Sequence, residues 1–210
     1  MLKIAVLISG GGTNLQALIN AIEGKELAAE INLVISNKRD AYGLIRAKNH
    51  RISTEILDIK KYPLREERQK ALLQLLLDHK IDLVVLAGYL DILSEGIIKE
   101  YENRIMNIHP SLIPSFSGKG FYGERVHKEA IRRGVKISGA TVHFVNEETD
   151  GGPIILQEAV AVEFCDDEES LQKKVLALEH KLLPRAVKLF AEGRLKIVDD
   201  RVEIINEIES

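Results

Sequence analysis

Only one cysteine, Cys165, occurs in this chain of 210 residues. A lone thiol excludes an internal disulfide and a thiolate metal cluster, and it fits a reducing compartment. Neither charge sign dominates: 29 Lys and Arg stand against 32 Asp and Glu, a formal net charge of −3. That balance argues against nucleic acid or an anionic membrane as the main partner, so any phosphate ligand must be met by local groups. No apolar run approaches the ~20 residues of a membrane span. The opening run Met1 to Ile8 has no cleavage signal and reads as the first strand of a cytoplasmic protein. Repeats, low-complexity tracts and Pro/Gly/Ser linkers are missing as well. The length suits one core burying about 70% of the unfolded surface, so a single domain over 1–210 is expected. Metal-ligand spacings of the H-x-H, H-x-x-x-H or C-x-x-C kind do not occur, and no metal is predicted.

What is present is an alternation of short β-rich runs with helical patterns, the mark of a parallel sheet covered on both faces. The runs predict strands at 3–8, 31–35, 53–57, 82–87 and 104–108, and helices near 14–23, 42–49, 65–79 and 95–101. Leu72, Leu73, Leu75, Leu76 and Leu77 give the third helix a wide predicted apolar face. After a helix near 123–133 the pattern changes: 137–145 and 154–162 are successive strands with no room for a helix between them, so they should pair antiparallel. A helix over about 168–192 contains Pro184, which should kink or divide it. Lys196–Val198 and Val202–Ile205 predict a small terminal hairpin.

Three places carry chemistry. Arg104–Ile108 reads as a buried strand stopped by Pro110, so Asn107 and His109, two apart, point to one face at its carboxyl end, where open α/β sheets bind ligands. An uncharged amide donor beside an imidazole suits an acyl-type transfer, holding a developing oxyanion while a proton moves. Asp150, before Gly151-Gly152-Pro153, reads locally as a turn aspartate capping its own backbone. The loop Ser9-Gly10-Gly11-Gly12-Thr13-Asn14 joins a strand to a helix; it is either an anion cradle or a glycine turn with Thr13 as the helix cap. Leu15 stands where a dinucleotide fingerprint needs its third glycine, and no Gly-Lys-Ser/Thr follows, so nicotinamide and ATP readings lose ground. His50, His79 and His127 sit among polar neighbours and are expected to be solvated. His143 shares a strand face with Thr141 and is read as a hydrogen-bonded structural histidine near the site.

The order and spacing of Ile8-Ser9-Gly10-Gly11-Gly12-Thr13-Asn14-Leu15, Val34-Ile35-Ser36-Asn37-Lys38, Val84-Val85-Leu86-Ala87-Gly88-Tyr89, Asn107-Ile108-His109-Pro110-Ser111-Leu112-Ile113-Pro114, Thr141–Val145, Asp150-Gly151-Gly152-Pro153 and Leu178-Glu179-His180 resemble the phosphoribosylglycinamide formyltransferase family over nearly the whole chain. The resemblance implies a Rossmann-like α/β formyltransferase fold, mostly parallel, with helices on both faces and antiparallel strands in the C-terminal part. It implies transfer of a formyl group from 10-formyltetrahydrofolate, a co-substrate, to the amine of 5-phosphoribosylglycinamide in purine synthesis, in a monomer or homodimer, without metal, nucleic acid or membrane. A phosphate-binding half would cover about 1–100 and a folate and catalytic half about 101–210. Asn107, His109 and Asp150 would be catalytic, with the Asp150 carboxylate paired to His109. Gly12, Thr13, Asn14 and Glu179 would hold the ribonucleotide. Arg65, Leu90, Asp91, Ile92, Leu93 and Asn146, with Asn107 and Asp150, would line the folate site.

Two departures stand out: Asp91 lies where the family usually has arginine, and the stretch 117–123 is longer than in compact members. The alternatives are formyltetrahydrofolate deformylase, methionyl-tRNA formyltransferase, and a non-catalytic nucleotide-binding module. Each of the first two carries a further domain, and the third has no use for Asn107, His109 and Asp150 together.

Overall fold

The computed structural model describes residues 1–206. It forms two compact units, Met1–Met106 and a second beginning at Asn107. In the first, β1 (Leu2–Ile8), α1 (Thr13–Glu23), β2 (Ala29–Ser36), α2 (Tyr42–Asn49), β3 (Thr54–Ile56), α3 (Arg65–Asp78), β4 (Leu83–Leu86) and α4 (Glu95–Glu100) alternate along the chain. The strands lie in the order β3-β2-β1-β4. All three pairings are parallel, with Val6 opposite both Val34 and Val85 and with Ile35 opposite Glu55. Ile4 to Ile8 and Leu83 to Val85 are fully buried. Such unbroken apolar runs belong to strands covered on both faces, each large side chain contributing about 1.5–3 kcal/mol of burial.

The apolar face of α3 is narrower than the leucine run predicts. Leu72 and Leu76, one turn apart, are buried, whereas Leu77 is 44% exposed. A helix packing on one side buries only residues three or four apart, and neighbouring leucines rotate away.

The second unit takes up β5 (Ile105–His109) at Asn107 and continues with α5 (Glu124–Arg133), β6 (Ile137–Phe144), β7 (Ile154–Ala161), α6 (Glu168–Ala191), β8 (Leu195–Val198) and β9 (Arg201–Ile204). β6 lies between β5 and β7. β6 and β7 pair antiparallel, Thr141 opposite Gln157, with a register shift between Val142 and His143. β8 and β9 form the small hairpin, its two-residue turn made by Asp199 and Asp200 at positive φ. The expected class, a mostly parallel α/β sheet with an antiparallel pair toward the C-terminus, is the one observed.

Pro184 does not divide α6, which runs unbroken from Glu168 to Ala191. Leu182, Leu183, Ala186 and Val187 around it are buried. Their packing offsets the ~3 kcal/mol that an interior proline costs. The helix starts on a capping box: Asp167 accepts from the Ser170 N–H at 2.8 Å and its own N–H donates to Ser170 Oγ at 3.0 Å. Among the described residues, no helix is long and apolar enough to cross a membrane.

Candidate active site

In the second unit, the side chains of β5 and β6 and the turn after β6 converge. Strand alternation puts Asn107, half-buried, and His109, 5% exposed, on one face of β5. His143 on β6 is 1% exposed. Its Nδ1 lies 2.7 Å from the Phe144 carbonyl oxygen, so Nδ1–H donates there and Nε2 is left as an acceptor. The Asn107 amide donates to it from Nδ2–H at 3.1 Å. Burial holds the His143 pKa below its ordinary value, His109 adds to this, and the Phe144 carbonyl and Asp150 oppose it. The imidazole therefore stays neutral and can accept.

Asp150 sits at φ +57°, a left-handed position that aspartate tolerates better than most residues. Gly152 lets the following chain pass close, since a Cβ there would stand 1.9 Å from the Phe144 oxygen. The Asp150 carboxylate is not spent on its own turn, which overturns the local reading: Oδ2 accepts from the Gly118 N–H at 2.9 Å, thirty-two residues away. The carboxylate stands between two imidazoles, Oδ2 at 3.7 Å from His109 Nδ1 and Oδ1 at 3.7 Å from His143 Nε2. Both distances exceed a hydrogen bond, and with His143 neutral only the His109 contact can become an ion pair, once that ring is protonated. His109 Nε2 lies 2.9 Å from the Phe116 carbonyl and donates to it. The stretch 116–118 thus touches both His109 and Asp150 through backbone groups, which no side-chain pattern could have signalled.

His127 reads as solvated from its charged sequence neighbours but is 3% exposed, and among the described residues its Nδ1 has no hydrogen-bond partner. Burial, assisted by His109, pushes its pKa down to about 4. It shares the inner face of α5 with Val126 and Ala130, and the charged residues beside it in sequence point elsewhere. His50 and His79 are half-buried and partnered, the first with Glu23 at 2.7 Å and the second with the Leu75 carbonyl at 2.9 Å.

The glycine loop belongs to the first unit. α1 begins at Thr13, and its N-cap is Gly12 in the left-handed region, φ +69°, with no side-chain cap. Thr13 is therefore not the cap. A Cβ on Gly12 would stand 2.6 Å from the Gly43 Cα, so only glycine fits both the dihedral and the space. The first backbone N–H groups of a helix without a side-chain cap are open to an anion. Asn14 is buried on α1, and Glu179, of the second unit, is buried on α6.

The loop Leu90–Leu93 is fixed through its main chain. Leu90 N–H donates to Ser9 Oγ at 2.8 Å, and Ser9 donates in turn to Asn37 Oδ1 at 2.7 Å. The Ile92 carbonyl accepts from Arg65 at 2.9 Å and from Gln69 at 3.3 Å. Gln69 Oε1 receives the Ser94 N–H at 2.8 Å. Leu90 and Ile92 are 50% and 60% exposed while Leu93 is buried. Asp91 faces Arg68 at 3.6 Å. In the second unit Asn146 is exposed, its Oδ1 closing a turn on the Glu148 N–H at 3.1 Å. Among the described residues, no three His, Cys, Asp or Glu converge on a metal position.

A family model described as formyl transferase matches residues 2–187. The chain is 42% identical over 200 residues to a phosphoribosylglycinamide formyltransferase of Haemophilus influenzae, covering 95% of this chain and 92% of that one. It is 45% identical over 195 residues to a trifunctional purine biosynthetic protein, adenosine-3, of Gallus gallus; there it covers 93% of this chain but spans only 19% of that protein. Among solved structures, glycinamide ribonucleotide transformylase 1 from Symbiobacterium toebii superposes with a TM-score of 0.92 at 44% identity, covering 98% of this chain and 95% of that one. A formyltetrahydrofolate deformylase from Pseudomonas syringae gives 0.89 at 30% identity, with 98% of this chain and 66% of that one covered.

Proposed function

Because the chain belongs to the formyl transferase family, we propose that it transfers the formyl group of 10-formyltetrahydrofolate to the amine of 5-phosphoribosylglycinamide, yielding the N-formyl product and tetrahydrofolate. The step belongs to purine synthesis and takes place in the cytoplasm. The observation that carries this reading is the Asn107 amide, oriented by a neutral His143 at 3.1 Å beside His109 and Asp150. One amide N–H is held by His143 and the other is left for an oxyanion.

The substrate amine attacks the formyl carbon and the carbonyl electrons move to oxygen. Asn107 and His109 stabilise that oxygen. The Nε2–H of His109, which donates to Phe116 in this structure, exchanges that acceptor for the oxyanion when substrate binds. Asp150 orients His109 and relays the proton lost by the amine. The intermediate then collapses, and the folate nitrogen leaves carrying a proton. No covalent enzyme intermediate is needed, and ordering two substrates at one carbon contributes roughly 7–11 kcal/mol. Gly12, Thr13 and Asn14 hold the phosphate, supported by the absence of a side-chain cap on α1, and Glu179 serves the glycinamide portion. Arg65 and the 90–93 loop, with Asn146, serve the folate.

The test is an assay of tetrahydrofolate release with both substrates. Release that depends on the amine supports the transferase; release at the same rate without it identifies a deformylase.

A further inference from the structure

The loop Ser9–Asn14 contains no cationic side chain. A phosphate monoester carries about −1.5 to −2 charges near neutral pH, whereas a helix N-terminus offers only about +0.5. A cation beside the loop comes from α2. Arg46 donates from Nε to the Gly11 carbonyl at 2.9 Å and from Nη1 to Gln16 Oε1 at 3.3 Å. Its Cδ would lie 3.6 Å from a Cβ built on Gly12, and the Tyr42 ring stands 5.0 Å from the guanidinium carbon. These contacts tie the guanidinium to the loop and to the first turn of α1. They also occupy the Gly11 carbonyl oxygen, a repulsive neighbour for an anion if left free. Among the described residues two of its five N–H donors are used, and the rest of the fork remains for a ligand.

We propose that Arg46 is a phosphate-binding residue for the ribonucleotide: its guanidinium takes an oxygen of the phosphate that the Gly12–Asn14 backbone holds. This rests on the phosphate-loop reading above. Arginine suits the position because its planar fork can serve the loop carbonyl and a phosphate oxygen together, which a lysine ammonium does with less directional control.

The experiment measures binding of 5-phosphoribosylglycinamide and of its phosphate-free riboside to the wild type, Arg46→Met and Arg46→Lys by isothermal titration. Arg46→Met is expected to weaken the ribonucleotide at least about tenfold, the worth of one hydrogen bond to a charged group. Riboside and folate-analogue binding should stay within about twofold, and Arg46→Lys should recover part of the ribonucleotide loss. An equal loss for ribonucleotide and riboside would make Arg46 a strap that shapes the loop and overturn the proposal, as would a ribonucleotide loss below about threefold. If the wild type bound ribonucleotide and riboside equally, the phosphate-loop reading would fail at its root and Arg46 with it.

Discussion

The Asn107 amide nitrogen stands 3.1 Å from His143 Nε2, and His143 can accept that hydrogen bond only because its other nitrogen donates to the Phe144 carbonyl and burial keeps the ring uncharged. A histidine that looks structural thus fixes which way the amide faces.

His143→Leu removes the acceptor that orients Asn107. Turnover is expected to fall about tenfold to a hundredfold, the range for a misplaced reacting group, while both Michaelis constants stay within about twofold. His143→Gln, which retains an acceptor, should recover part of the loss. Steady-state kinetics on folded variants decide it: unchanged turnover in His143→Leu would show that the amide orients itself.

His109→Ala and Asp150→Asn are each expected to lower turnover by at least ~100-fold, with ribonucleotide affinity little changed. Asp150→Asn is the cleaner variant, because its amide oxygen can still accept the Gly118 N–H now seen at 2.9 Å. Near-normal turnover would return Asp150 to the role of an anchor for residues 116–118.

His127 sets a pH dependence of stability. Its pKa is about 4 in the folded protein against 6.5 for the free side chain, so unfolding takes up a proton between those values. Stability therefore falls as pH drops from about 6.5 toward 4, by up to about 1.4 kcal/mol per pH unit from this group. Denaturant melts of His127→Leu should show a shallower acid limb with little change in slope above pH ~7. An acid limb as steep as that of the wild type would mean that His127 is charged in the native state.

Much of the fold is readable from local pattern. β1 and β4 are continuous apolar runs that only a doubly covered strand explains, and the short connection between β6 and β7 forces antiparallel pairing. Residues fail to be legible where tertiary packing overrides the local signal. Pro184 reads as a break, but the buried side chains around it keep α6 whole. His127 reads as solvated because its sequence neighbours are charged, although helical geometry turns it inward. Asn107 and His109 are legible from strand spacing, whereas the partner of Asp150 is a backbone N–H at Gly118 and that of His109 a carbonyl at Phe116. Every residue type but proline supplies both groups, so no composition or spacing marks them.

Asp91 tests how the folate loop works. Its carboxylate lies 3.6 Å from Arg68, with the two side chains 19% and 15% exposed, while the loop's main chain is held independently by Ser9, Arg65 and Gln69. If the pterin is read by backbone groups of residues 90–93, the loop's shape matters more than the Asp91 charge. Asp91→Asn should then change the Michaelis constant for 10-formyltetrahydrofolate by less than about threefold, about 0.7 kcal/mol, since the carboxylate is directed at Arg68 and the loop's main chain does not depend on it. Gln69→Ala, which takes the acceptor from the Ser94 N–H and leaves the Ile92 carbonyl to Arg65 alone, should raise it more. A rise of tenfold or more for Asp91→Asn, with the ribonucleotide constant unchanged, would instead show the carboxylate accepting hydrogen bonds from the folate, because bonds to charged groups contribute roughly 1.5–3 kcal/mol.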